Sequence, residues 1–217
     1  MGRRRDPRAK KMVRRHMAAR DITDRRVLAV MASVPREGFV PPHLQDRAYA
    51  DAPLPVGFDQ TISQPYIVAL MTQAARPSRH AKVLEVGTGT GYQTAILAQL
   101  NRHVWSIERI AALSGEAALR LSELGIDNVT FLVGDGAIGH PPAAPYDTIL
   151  VTAAAPHPPA PLLDQLAGGG RLVIPIGDRD LQVLSVYQRT ADGIHRTTAG
   201  SCRFVPLIST EAFAAPG

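Results

Sequence analysis

Two hydrophobic rhythms divide the chain near Lys82. Before it, apolar residues recur at helical spacing. Val27, Val30, Met31 and Val34 fall at i, i+3, i+4 and i+7, which predicts an amphipathic helix. Asp24 is placed to cap that helix and Pro35 to stop it. Ile67, Leu70, Met71 and Ala74 repeat the spacing, and Pro77 ends the second helix. Between them, residues 35–65 are proline-rich with few periodic apolar positions. A loop of that length in a compact domain is usually functional.

After Lys82, strand and helix patterns alternate. Val83–Val86 is a short apolar strand, Gly87-Thr-Gly-Thr-Gly91 turns it, and Tyr92–Leu100 reads as a helix. Val104–Ile107 is the second strand. Ile110, Leu113, Ala117, Leu121 and Leu124 stripe the next helix, which Gly125 stops. Val129–Val133 and Asp147–Thr152 are the third and fourth strands. A proline-rich turn, a short helical stretch Leu162–Ala167 and Gly168-Gly-Gly170 then lead into the strand Arg171–Ile176. Strands joined by crossover helices predict a parallel sheet covered on both faces. Leu181–Arg189 and Ile194–Leu207 have no helix between them and predict an antiparallel edge. The expected fold class is α/β: a doubly wound, mostly parallel sheet with an antiparallel C-terminal edge and an N-terminal helical segment. Without a repeat or a second core, residues 1–217 read as one domain. Its parts are an arm over 1–20, helices and a loop over 21–80, and the core with the C-terminal strands over 81–217.

Composition narrows the class without naming a chemistry. Of 217 residues, 45% are hydrophobic and 20% charged, enough for a substantial core, and aromatics at 5% leave it to Ala, Val, Leu and Ile. Collagen-like, disordered and disulfide-scaffold classes are excluded. No apolar run is long enough to span a bilayer, and no apolar stretch follows the arginine-rich N-terminus, so neither membrane association nor a signal peptide is expected. The expected address is the cytoplasm. The single Cys202 can form neither an intramolecular disulfide nor a multi-cysteine metal site. The net charge of +5 is concentrated at one end: residues 1–26 hold eleven Arg/Lys and three Asp. Such an arm can meet nucleic acid. No aromatic precedes Phe39 to stack on bases, so nucleic acid is not expected as a partner and the arm reads as a solvated, poorly ordered extension. Met12 offers a second possible start of translation.

The strand-to-helix turn Leu84-Glu-Val-Gly-Thr-Gly-Thr-Gly91 carries the most chemical information. Glycines turn the backbone tightly and let a ligand approach without Cβ interference, while the helix starting near Tyr92 points free amides at it. The pattern is G-x-G-x-G after an acidic residue, not the G-x-G-x-x-G of nicotinamide sites. Glu108 ends the next strand, seventeen residues after Gly91, where a carboxylate can accept both hydroxyls of a ribose. Gly134-Asp135-Gly136 closes the third strand with another carboxylate.

Three such features at the ends of three successive strands resemble the class I, Rossmann-like S-adenosylmethionine-dependent methyltransferases. The resemblance implies S-adenosyl-L-methionine as cofactor and S-adenosyl-L-homocysteine as product. Gly87, Gly89 and Gly91 would pass the methionine part, Glu108 would bind the ribose, and Asp135 would lie near the adenine. Glu85, Thr88, Arg109 and Gly136 complete the expected cofactor set. The fourth strand ends Val151-Thr-Ala-Ala-Ala-Pro156, without the Asn/Asp-Pro-Pro-aromatic turn of base-amine methylation. Cys202 lies far from the glycine loop in a predicted strand and reads as structural. No suitable cluster of metal-binding carboxylates is evident, so no metal is expected and the substrate brings its own nucleophile.

The segment Asp59-Gln-Thr-Ile-Ser-Gln-Pro-Tyr66 precedes the helix before the first core strand. Pro65 suits that helix's first turn, and Ser63 is either its N-cap or a functional hydroxyl. From about Val27 to Leu207 the chain resembles the protein-L-isoaspartate O-methyltransferase family. The resemblance rests on Val34-Pro-Arg-Glu-Gly-Phe-Val40, Gln60-Thr-Ile-Ser-Gln-Pro-Tyr66, Val83-Leu-Glu-Val-Gly-Thr-Gly-Thr-Gly-Tyr-Gln-Thr-Ala95, Ile149-Leu-Val-Thr-Ala-Ala154 and Arg203-Phe-Val-Pro-Leu207. It implies methyl transfer to the free α-carboxylate of isoaspartyl residues in damaged proteins and peptides, by a monomer. It also implies Ser63 as the active-site serine, Thr61 and Ile62 in a loop over cofactor and substrate, and Val205, Pro206 and Leu207 lining the isoaspartyl pocket. Two departures stand out. The turn Ala137-Ile-Gly-His-Pro-Pro142 lacks a tryptophan often found there, and the arm before Met12 has no expected counterpart. His140 and His157, in proline-rich turns, read as solvated, and Asp164 and Arg179 as surface. Transfer to RNA or a small molecule, or a non-catalytic cofactor-binding module, are the alternatives.

Overall fold

The computed structural model describes residues 6–214. Helix α1 (Pro7–Val13) begins at Asp6, whose carboxylate accepts the Arg8 amide at 2.7 Å, and runs into a π-helical turn over Arg14–Ala18. Ala9, Met12, Val13 and Met17 are buried in the core. The expected solvated arm is therefore corrected for residues 7–18, while residues 1–5 lie outside the described ones. The charge run concealed an i, i+3, i+4, i+8 apolar stripe.

Helix α2 (Arg25–Met31) is capped as expected, the Asp24 carboxylate accepting the amides of Arg26 at 2.8 Å and Val27 at 3.4 Å. The proline-rich stretch is more structured than its sequence suggests. Two 3₁₀ turns, Arg36–Phe39 and Pro42–Arg47, lead to an antiparallel hairpin of β1 (Leu54–Gly57) and β2 (Gln60–Ile62). Helix α3 (Pro65–Ala74) follows, with Pro65 in its first turn and Gln64 as N-cap. Ser63 is not the cap.

The core alternates β3 (Lys82–Val86), α4 (Tyr92–Leu100), β4 (His103–Glu108), α5 (Ala111–Glu123), β5 (Val129–Val133), β6 (Tyr146–Val151), α6 (Ala160–Asp164) and β7 (Leu166–Gly177). The antiparallel β8 (Gln182–Thr190) and β9 (Gly193–Cys202) complete a seven-stranded sheet of order β5-β4-β3-β6-β7-β8-β9. All pairs from β5 through β7 are parallel, with Val83 beside Val104 on one side and Thr148 on the other. Successive side chains face opposite sides of the sheet. Val83, Val104, Leu150 and Val173 pack with α2, α3 and α4, whereas Leu84, Ile107, Ile149 and Leu172 pack in a second cluster with Leu162 of α6.

Several boundaries differ from expectation. The predicted helix Leu162–Ala167 is the shorter α6, and β7 starts before the triple glycine, where its pairing with β6 shifts register. The predicted last strand ends at Cys202 because the Phe204 amide donates to the Gln182 side chain at 2.8 Å. The chain then crosses to the end of β6, where Pro206 pairs with Ala154.

Candidate functional site

A cavity of about 310 Å³ opens at the carboxyl ends of the parallel strands. One wall is the turn after β3. At Gly87 φ is +93°, and a Cβ there would sit 2.3 Å from Thr152 Oγ1, whose hydroxyl donates to the Gly87 carbonyl at 2.6 Å. Glycine is required on both counts. Thr88 and Gly89 also line the cavity, but Gly91 does not. A Cβ on Gly91 would meet Leu121 at 2.9 Å and Ala117 at 3.1 Å, so this residue lets α4 approach α5.

Glu108, at the end of β4, closes the turn: one oxygen accepts the Gly89 amide at 2.9 Å and the other the Ile110 amide at 3.0 Å. It lines the cavity beside Arg109, and its carboxylate keeps lone pairs for further hydroxyls. Gly136 also contributes, being close enough to β3 that a Cβ would strike Val86 at 2.2 Å. Asp135 lies outside the wall. Its oxygens are held by the Ala137 amide at 2.9 Å and the Ser209 hydroxyl at 2.6 Å, which ties the end of β5 to the C-terminal segment.

Glu85 likewise lies beneath the turn and not in the wall. It is fully buried, and Oε2 accepts the hydroxyls of Thr94 at 2.5 Å and Ser106 at 2.6 Å. Ser106 is in turn 2.6 Å from the Thr88 hydroxyl, and Glu85 Oε1 has no partner. Burial pushes this carboxyl up to about 8, so it holds its proton at neutral pH. Direct contact with a cofactor, expected from its place in the motif, is corrected to support from one layer below. Sequence does not distinguish the two because both put an acid at the end of the same strand.

The opposite wall comes from outside the parallel core. Thr61, Ile62 and Ser63 leave β2 along the cavity, and Val205, Pro206 and Leu207 face them. The second group is fixed by backbone bonds to Ala154, its amide donating to Val205 O at 2.8 Å and its carbonyl accepting the Leu207 amide at 2.7 Å. The Ser63 loop is braced by Asp51, which accepts Gln64 Nε2 at 2.9 Å and the Tyr66 amide at 3.1 Å. Arg20 pairs with the same carboxylate at 3.3 Å and stacks over the Tyr66 ring. The Ser63 hydroxyl makes no hydrogen bond among the described residues, and no histidine lines the cavity.

Residues not foreseen also take part. Phe58, Asp59, Met71, Tyr92, Gln93 and Thr152 line the cavity, as does Arg179, which was expected only at the surface. Arg179 is exposed, but it follows a strand's carboxyl end, the one signal that could have found it. Its guanidinium stacks on Phe213 and donates to Ala214 O at 3.1 Å. Cys202 is buried in the core, where desolvation pushes its thiol up to about 11. Among the described residues no group of His, Cys, Asp and Glu could hold a metal ion.

The donor set fits an adenosyl sulfonium. A glycine turn leaves room beside the backbone, Glu108 can take ribose hydroxyls, and Val86, Ile107 and Met71 supply apolar surface. The family model described as protein-L-isoaspartate(D-aspartate) O-methyltransferase matches residues 7–212, so the family pattern begins inside the segment first expected to lack a counterpart. A protein-L-isoaspartate O-methyltransferase from Anaeromyxobacter dehalogenans is 56% identical over 189 residues, covering 86% of this chain and 90% of its own. One from Methanoregula boonei is 51% identical over 199 residues, covering 92% of both chains. Among solved structures, a Plasmodium falciparum protein described as a protein-L-isoaspartate O-methyltransferase, in complex with S-adenosyl-L-homocysteine, superposes with a TM-score of 0.80 at 25% identity, covering 92% of this chain and 98% of that one. The fold, the cavity at its strand ends and these likenesses agree, and the chain belongs to the protein-L-isoaspartate(D-aspartate) O-methyltransferase family.

Proposed function

We propose that this protein transfers a methyl group from S-adenosyl-L-methionine to the free α-carboxylate of L-isoaspartyl residues in damaged proteins and peptides. The resulting ester would cyclise to a succinimide and so begin repair. The observation that carries this reading is the meeting, in one cavity, of the glycine turn and Glu108 with the Ser63 loop and the Val205–Leu207 segment.

The backbone of Gly87–Gly89, Glu108 and Gly136 would hold the cofactor, with Thr61 and Ile62 closing over it. When bound, S-adenosyl-L-methionine supplies an electrophilic methyl group to the substrate carboxylate. That carboxylate is ionised at neutral pH, since carboxyls titrate near ~4, so no general base is needed. Ser63 acts by hydrogen bonding: its hydroxyl orients the carboxylate and is not a nucleophile, because no histidine lines the cavity and no carboxylate among the described residues is hydrogen-bonded to the hydroxyl to remove its proton. Ile62, Met71 and Leu207 keep water from the carboxylate, and orientation provides the rate.

The substrate is read as protein or peptide and not nucleic acid. Three basic residues of the N-terminal segment have carboxylate partners, Arg8 with Asp6, Arg20 with Asp51 and Arg26 with Asp24. No helix among the described residues is long and apolar enough to cross a membrane. A monomer acting in the cytoplasm is the working form we propose. The test is transfer of labelled methyl to a synthetic isoaspartyl peptide, with its normal aspartyl twin as control. A base-labile ester on the isoaspartyl peptide alone is expected, and no ester despite cofactor binding would remove the repair function.

A further inference from the structure

The segment Val34-Pro-Arg-Glu-Gly-Phe-Val40 is one of the motifs that carry the family resemblance, yet none of it lines the cavity. At its centre Arg36 is fully buried. Its Nε donates to the Ala48 carbonyl at 2.8 Å, and Nη2 donates to the Ser63 carbonyl at 2.7 Å. The guanidinium lies 4.6 Å from the centre of the Tyr92 ring, at the first residue of α4. The neighbouring Glu37 takes the Tyr49 hydroxyl and so holds the residue next to Ala48.

No carboxylate lies within ion-pair distance of Arg36 among the described residues, and Nη1 has no hydrogen-bond partner. Burying a cation without a direct ion pair is unfavourable, and an apolar side chain of similar length would fill the space at less cost. What an apolar chain cannot do is grip two carbonyls with a planar fork while its face rests on an aromatic ring. One carbonyl belongs to the residue proposed to touch the substrate. The ring belongs to the helix that the cofactor turn opens into.

We infer that Arg36 is a positioning residue: it fixes the Ser63 loop at a set distance from the N-terminus of α4, and so sets the substrate carboxylate against the cofactor side. The inference rests on the reading of Ser63 given above. Displacing a reacting group by about 1 Å can lower a rate about a hundredfold, so a single-point grip at this position should be felt in turnover.

The test is a double-mutant cycle of Arg36→Lys and Ser63→Ala, with Arg36→Gln as a second arginine variant. Steady-state kinetics on an isoaspartyl peptide, S-adenosyl-L-homocysteine affinity by calorimetry and thermal unfolding are measured on each. Arg36→Lys is expected to lower kcat/KM about tenfold or more while cofactor affinity stays within about threefold. In the Ser63→Ala background the same change should cost less than about threefold, because residues acting through one another are not additive. Equal losses in both backgrounds, a parallel loss of cofactor affinity, or unchanged kinetics would overturn the positioning role. Failure of both arginine variants to unfold cooperatively would make Arg36 a purely structural residue and overturn it too. If Ser63→Ala alone keeps wild-type kcat/KM, the reading of Ser63 falls and this inference with it. An impaired Ser63→Ala with additive arginine effects removes only the role of Arg36.

Discussion

The two walls of the cavity are built in different ways. The wall proposed to hold the cofactor is local and made mostly of backbone: Gly87, Thr88 and Gly89 follow directly from β3, and Glu108, at the end of the adjacent strand, bonds to the same turn. The facing wall is assembled from pieces far apart in the chain. Residues 61–63 and 205–207 are braced by Arg20, Arg36, Asp51 and Ala154, mostly through side chains. The first design tolerates few changes of backbone and many of surroundings. The second can be retuned one brace at a time, which suits the wall proposed to face the substrate.

Substitutions can break the two walls separately. Gly87→Ala should have the largest effect, since the new Cβ both meets the Thr152 hydroxyl and strains a φ of +93°. Loss of cofactor affinity and a fall in kcat/KM of roughly a hundredfold or more are expected, read by calorimetry and steady-state kinetics. Asp51→Ala should act mainly on the other wall. It removes the acceptor for Gln64 and Tyr66 and the partner of Arg20. Stability should fall by about 1–3 kcal/mol in denaturant titration and peptide KM should rise by a larger factor than cofactor affinity falls.

The smallest effect concerns the layer under the cofactor turn. Glu85 keeps its proton up to about 8 when folded and loses it near its ordinary value of 4.5 when unfolded. Between those limits the folded protein binds the extra proton, so stability present at low pH is lost as pH rises through that window. Glu85→Gln should therefore flatten the decline of Tm between pH 5 and 8 relative to wild type, without moving peptide KM. An unchanged pH slope would mean that Glu85 is ionised in the folded protein.

What could be read from sequence follows the same division. Val83–Val86, Val104–Ile107 and Val129–Val133 are apolar runs that only a buried strand explains, and the glycines and Glu108 sit at their ends. The stripe of α5, the cap Asp24 and the first-turn Pro65 were legible for the same local reasons. The hairpin β1–β2 was not: it is short, contains Pro55 and shifts register between Pro55 and Gly57, so no alternation marks it. Helix α1 was hidden by its own arginines and lysines. The roles of Arg36 and Asp51 carried no local signal, because their partners lie twelve to thirty-one residues away and include several backbone groups. The placing of Glu85 and Asp135 outside the cavity depended on neighbouring side chains that no strand pattern reveals.

The burial of Cys202 has a consequence for the protein's own chemical durability. A thiol held near 11 is ionised in only about one molecule in ten thousand at pH 7, so the species that reacts with peroxides and electrophiles is almost absent. Met12, Met17, Met31 and Met71 are no more than 2% exposed, which shields their thioethers as well. Every sulfur among the described residues is thus buried, and catalytic competence should not depend on a reducing agent.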